Sequence, residues 1–202
     1  MNGKTVVRCS GSAVVLFLLA TVLCGIVYPW TVAGVGAVAF PAQASGSLIE
    51  VNGVKYGSEL VGQPFSDETH LWGRPMKPNA TTFTGEDGEP LLWYEPENLS
   101  PASDEFAATV AERVSAIRAA HPDQGNAPVP SDLVTVSGSG FDPHISPAAA
   151  EYQVGRIAAA TGRSEEEVRD IIRQCTEKPL LGAVGASRVN VLKANLMLDG
   201  IL

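Results

Sequence analysis

Ala13-Val-Val-Leu-Phe-Leu-Leu-Ala-Thr-Val-Leu-Cys-Gly-Ile-Val27 lies inside a run of 41 residues, 9–49, that carries no charged side chain. About 20 apolar helical residues, each rising ~1.5 Å, cross the hydrocarbon core of a bilayer. Residues 10–28 approach that length. Tyr28-Pro29-Trp30 is expected to close the helix, because Tyr and Trp favour the headgroup level and Pro loosens a helix leaving the core. The reading is an uncleaved transmembrane helix over residues 10–30, with an apolar continuation to about residue 40. A secretory signal is weaker: its A-x-A site, Ala42-Gln43-Ala44, stands well beyond the apolar stretch, with Tyr28, Pro29 and Trp30 between. A lipoprotein signal ending at Cys24 is disfavoured by Leu23, since a small residue normally precedes a lipidated Cys.

Basic residues set the expected orientation. Lys4 and Arg8 precede the span, and no Lys or Arg follows until Lys55. The positive-inside rule puts residues 1–9 in the cytoplasm and the chain from residue 43 onward outside. Residues 43–202 form one segment of 160 residues, enough for a single domain with a core. It holds 12 Lys and Arg against 22 Asp and Glu, a net charge of −10, which disfavours nucleic acid and anionic lipid as partners of its surface. Cys175 is the lone cysteine there, so no intrachain disulfide staples the domain, and it is read as buried and inert.

The pattern along this domain predicts an α+β fold. Asn52-Gly53 signals a hairpin. Residues 61–101, rich in Pro, Gly, Asn and acids, read as a long ordered loop. Ser103 caps a helix with Phe106, Val110, Val114 and Ile117 on one face, ending near Ala120. Residues 133–136 read as a short buried strand. Ser146-Pro147 opens a helix running to Thr161-Gly162, and Ser164-Glu-Glu-Glu167 is a capping box for the next. Arg188-Val-Asn-Val-Leu-Lys193 reads as a final strand.

Chemistry concentrates in Ser137-Gly-Ser-Gly-Phe-Asp-Pro-His-Ile-Ser-Pro147. Ser137, Gly138, Ser139 and Gly140 turn sharply, then Asp142, Pro143 and His144 lead into a capped helix. Neither serine sits in G-x-S-x-G. Three histidines in the whole chain, His70, His121 and His144, are few for a metal site. The phosphate-loop pattern is absent. The favoured reading is an ordered turn whose Ser and Asp side chains satisfy backbone amides, with no catalytic residue and no metal. The rival is a membrane-anchored extracytoplasmic hydrolase or metal enzyme using Asp142, His144 and a nearby Ser; a free-standing solute-binding or adhesion domain is a third possibility. Gln153 and Arg156, three apart, share a helix face and read as a solvated or interface edge. Arg74, after Trp72-Gly73, reads as a surface contact ahead of stacking on an aromatic ring or holding a carboxylate, and Asn190 and Asn195 as satisfying backbone groups.

The stretch from Ser131 to Ala150 resembles the hallmark segment of the KdpC family, the C subunits of the bacterial Kdp potassium-transporting P-type ATPase. Gln153 and Arg156, Leu180-Leu-Gly, residues 188–199, Leu60-Val-Gly-Gln-Pro-Phe65, Gly73-Arg-Pro75 and Tyr28-Pro29 match it too. Residues 84–101 keep only Asn98-Leu99 and Pro101 of the family pattern, and Gly185-Ala-Ser replaces a common Gly-Glu-Pro. The resemblance implies a non-catalytic, single-span subunit of the bacterial cytoplasmic membrane. Its implied partners are a channel-like potassium-binding subunit, the P-type catalytic subunit, a small single-span subunit and membrane lipid. It implies a chaperone-like role that raises the ATP affinity of the catalytic subunit, and it carries nucleotide contact to Gln153. The orientation argument opposes that contact, because ATP is cytoplasmic and Gln153 is expected outside, beyond a ~30 Å hydrocarbon core. The chain is therefore expected to meet ATP only through the catalytic subunit. Ser137, Gly138, Ser139, Gly140, Asp142, Pro143, His144, Arg156, Asn190 and Asn195 are expected to shape a docking face.

Overall fold

A computed structural model of the chain describes residues 3–85 and 87–202. Two residues of the expected cytoplasmic segment 1–9 therefore lie outside the described ones, as does Glu86 in the expected 61–101 loop. Contacts divide the chain into two compact units that meet between Leu48 and Ile49.

The first unit is helical. Helix α1 (Gly3–Val22) runs into a π turn (Leu23–Val27) and then α2 (Tyr28–Ala39); a single turn, α3 (Pro41–Ala44), follows. Cys9–Ala39 is 31 residues long with a mean hydropathy of 2.3, long and apolar enough to cross a membrane. Leu16, Phe17, Leu23 and Trp30 are exposed along it. The expected closure at Pro29 does not occur. Proline has no N–H to donate back along the helix. The wide turn before it, in which the Tyr28 amide reaches Leu23 O, carries the helix past that gap. At ~1.5 Å per residue the apolar helix is about 46 Å long, well beyond a hydrocarbon core.

The second unit is α+β. Strands β1 (Leu48–Val51) and β2 (Val54–Ser58) pair across Asn52 and Gly53, whose φ values of +53° and +79° give the two left-handed residues that a tight hairpin turn requires. The expected loop over 61–101 is instead interrupted by an antiparallel ribbon of β3 (Lys77–Thr84) and β4 (Pro90–Glu95), with an irregular register between Asn79 and Phe83. Its Pro and Asn residues obscure the strand pattern, and a two-stranded ribbon tolerates them because each strand leaves one edge unpaired. Helix α4 (Asp104–Ala120) starts where expected, with Ser103 Oγ accepting from the Phe106 amide.

The expected strand at 133–136 is a 3-10 turn (Ser131–Leu133); Leu133 and Val134 are buried, and apolar content alone does not distinguish a buried turn from a strand. Residues 147–161 form two helices, α5 (Pro147–Glu151) and α6 (Val154–Thr161), not one; between them the Gln153 amide tightens onto Ala150 O. Helix α7 (Glu165–Gln174) opens on the complete Ser164–Glu167 capping box. The last expected strand is shorter than its pattern. After β7 (Arg188–Asn190), Asn190 Oδ1 accepts from the Lys193 amide and caps helix α8 (Val191–Leu198). Strand β7 is the centre of a three-stranded antiparallel sheet, between β5 (His144–Ile145) and β6 (Thr176–Glu177). The core gathers Leu71, Ile117, Val154, Ile157, Val168, Ile172, Val189 and Val191, with Cys175 buried beside them. Burial pushes the Cys175 thiol up to about 11, which keeps it a thiol and unreactive.

Candidate functional site

Gln153 and Arg156 do not form a solvated edge: Gln153 is fully buried and Arg156 is 8 % exposed. The break between α5 and α6 turns Gln153 toward the segment 67–72. Its Oε1 accepts from the Trp72 amide and from Arg156 Nη2, each at 2.8 Å, and its Nε2 donates to Trp72 O and Ala149 O, each at 3.1 Å. Two acceptor positions and two donor protons fill the capacity of an amide side chain.

Arg156 is equally committed. Nη1 donates to the carbonyls of Asp67 and Glu68, Nη2 to His70 O and Gln153 Oε1, and Nε to His121 Nε2 at 3.0 Å. Its guanidinium carbon stands 4.3 Å from the centre of the Trp72 ring, a cation–π contact. Burial lowers its pKa to about 10, which leaves it charged at neutral pH, and the carbonyl ring supplies the negative ends of dipoles that the buried cation needs. Together the two side chains pin a strand-free segment to α6 with backbone bonds that secondary structure does not provide. Asn195 does the same one residue earlier in that segment, accepting from the Leu71 amide and donating to Leu71 O. Asn190 Nδ2 holds Glu59 O.

His121 is 1 % exposed and its Nδ1 lies 2.7 Å from Ile117 O, so Nδ1 carries the proton and Nε2 accepts from Arg156. Burial holds its pKa below 6.5; the Ile117 carbonyl opposes that shift and Arg156 reinforces it. His70 behaves oppositely. Burial disfavours its charge, but bonds to Asp67 at 2.8 Å and Asp199 at 3.0 Å outweigh that and raise its pKa above 6.5. The stability owed to His121 is complete above the unfolded value of 6.5 and is lost as pH falls below it. The stability owed to His70 is complete below 6.5 and is lost as pH rises through its raised folded value. The advantage of the wild type over His70→Asn in urea unfolding is therefore expected to be greatest near pH 6 and to shrink toward pH 8; a gap independent of pH contradicts the assignment.

The segment 137–147 is a knot of side-chain-to-amide bonds. Ser137 Oγ accepts from the Gly140 amide at 2.9 Å and lies 3.2 Å from Ser139 Oγ, and Asp142 Oδ1 accepts from the His144 amide at 3.0 Å. Gly140 has φ +83°, and a Cβ there would meet the Glu95 carbonyl carbon at 2.6 Å, so only glycine lets the turn lie against the end of β4. Gly138 has open space around it. Asp132 Oδ2 accepts from the Ser146 amide and Ser146 Oγ from that of Ala149, fixing the start of α5. His144 Nδ1 lies 3.6 Å from Asp142 Oδ1 and its Nε2 3.7 Å from Glu177 Oε1; the hydrogen bond and charge of His144 lower the pKa of Asp142. Among the described residues no serine hydroxyl is hydrogen-bonded to His144, and no group of three or more His, Cys, Asp or Glu is placed to hold a metal ion. Asp142 and His144 share no hydrogen bond with Gln153 or Arg156.

The residues that sequence reasoning missed are Asp67, Glu68, His70, Trp72 and His121. Their contacts with Arg156 span 35 to 89 positions, and three of them act through backbone carbonyls, for which side-chain identity carries no signal.

Residues 10–200 match the family model described as "KdpC: K+-transporting ATPase, c chain". The chain belongs to the KdpC family. The proteins named "Potassium-transporting ATPase KdpC subunit" of Clostridium botulinum (strain Eklund 17B / Type B) and Clostridium perfringens are each 50 % identical to it, over 94 % and 98 % of both chains respectively. That of Sorangium cellulosum is 48 % identical, over 93 % of this chain and 95 % of its own. For this KdpC-family chain the match covers the apolar helix and the α+β unit alike, so the network around Gln153 and the turn at 137–147 both fall within the family region.

Proposed function

We propose that this chain is the non-catalytic C subunit of an ATP-driven potassium importer of the bacterial cytoplasmic membrane. One helix anchors it, with the N-terminus inside and the α+β domain outside. The domain docks on a channel-like potassium-binding subunit, and any gain in ATP affinity reaches the P-type catalytic subunit through that assembly as a coupling free energy. The observation that supports this most is the family match across 10–200, which joins an apolar helix to a domain with an acidic balance. The 137–147 turn organises the docking face by fixing backbone shape.

The test has two readouts on one preparation. The chain carrying Asn126→Cys, with its three native cysteines replaced, is expressed with the other subunits. An impermeant maleimide added to intact cells is expected to label it, and detergent extraction is expected to recover it with the channel-like and catalytic subunits. Protection from the reagent until lysis overturns the orientation; recovery of this chain alone overturns the subunit assignment.

A further inference from the structure

Arg74, singled out in the sequence, belongs to neither the Gln153 network nor the 137–147 turn. It is half-buried, and it lines a cleft of about 370 Å³. The walls are the rings of Phe65, Trp72 and Tyr94, and the floor is formed by core residues Ile117 and Leu133. Pockets for small ligands have this size and make-up: mostly apolar walls with a few polar groups, here Arg74 and Gln63, to orient the guest.

The guanidinium is under-compensated. Nη2 donates to two neutral oxygens, Thr135 Oγ1 at 3.1 Å and Val136 O at 3.2 Å, and Nε is buried with no acceptor. Among the described residues no carboxylate lies within ion-pair distance of it. Asp132 and Asp142 feel its charge from beyond ion-pair distance, and one oxygen of each accepts instead from the amide of Ser146 or His144. The contrast with Arg156 is plain, since that cation is ringed by carbonyls. A buried N–H without an acceptor is costly, and an arriving carboxylate oxygen supplies the acceptor that Nε lacks. One guanidinium balances one negative charge, and apolar walls leave a second without partner, so a monoanion fits better than phosphate.

We propose that the Arg74 cleft is a binding site for a small monocarboxylate with an apolar or aromatic body, the carboxylate toward Arg74 and the body between the aromatic rings.

Benzoate is the probe, with inorganic phosphate as the comparison. Equilibrium dialysis of the full-length protein in detergent is expected to show saturable, one-to-one benzoate binding at least tenfold tighter than phosphate binding. Arg74→Gln is expected to weaken it at least tenfold. Met76→Glu, which brings a carboxylate to the cleft wall and leaves the Arg74 contacts intact, is expected to abolish it, and it serves if Arg74→Gln does not fold. No saturable benzoate binding by the wild type, or wild-type affinity retained in both variants, overturns the proposal. A final arm rests on the proposed subunit role: benzoate binding that persists in the assembled complex supports a free ligand, whereas its loss there assigns the cleft to a side chain of a partner and overturns it. If no complex forms, the subunit reading fails while the first arm still reads the site.

Discussion

Arg156→Ala lowers the unfolding free energy of the 49–202 domain by about 3–5 kcal/mol, the range expected when one partner of a buried charge network is removed. The substitution strips bonds from the carbonyls of Asp67, Glu68 and His70, from His121 Nε2 and from Gln153 Oε1, and removes the cation from the Trp72 face. Several of these acceptors stay buried, and each unsatisfied one costs on the order of 1–3 kcal/mol. In a domain of this size the loss corresponds to a fall in Tm of roughly 10 °C. Arg156→Lys is expected to recover little of it, because an ammonium offers three donors from one point where five in a planar fork are used. Urea unfolding of the full-length protein in detergent, followed by tryptophan fluorescence, measures both. A loss under ~1 kcal/mol, of the size seen for exposed pairs, contradicts the burial argument.

Gln153→Ala is expected to cost about 2–4 kcal/mol, for the same reason on a smaller scale: the Trp72 amide and carbonyl and Ala149 O lose their partner, and Arg156 loses one acceptor. Gln153→Glu keeps the acceptors but loses both Nε2 donations, so it is expected to fall between wild type and Ala. Because Gln153 and Arg156 hold each other, the double variant is expected to be less destabilised than the sum of the singles. Any loss of apparent ATP affinity in Gln153→Ala preparations should then follow the loss of this chain from the complex.

Elements with local signals were legible from the sequence. Asn52-Gly53, the Ser103 cap, the Ser164–Glu167 box and the apolar face of α7 each state their structure within a few residues, and each forms. The readings that failed needed non-local information. The Leu133-Val134 segment is apolar enough for a strand but is held as a turn by α5 and the segment around Arg74. The β3–β4 ribbon is written in residues that usually mark loops. Strand β7 ends early because Asn190 caps a helix, although the Arg188-Val-Asn-Val alternation reads straight through. At the candidate site, Gln153 and Arg156 were visible only as residue types at a spacing of three. Their burial depends on backbone carbonyls more than 80 positions away, which no pattern in their neighbourhood records.

Gln153 pins the 67–72 segment to the helices, and its full burial and four filled hydrogen-bond positions leave no group to offer a ligand. Nucleotide photolabelling reads this out, with the full-length wild type and Gln153→Glu labelled beside the purified catalytic subunit. The expected result is competable labelling of the catalytic subunit and none above background on this chain. Specific labelling of this chain that excess ATP competes away and that Gln153→Glu abolishes would contradict it.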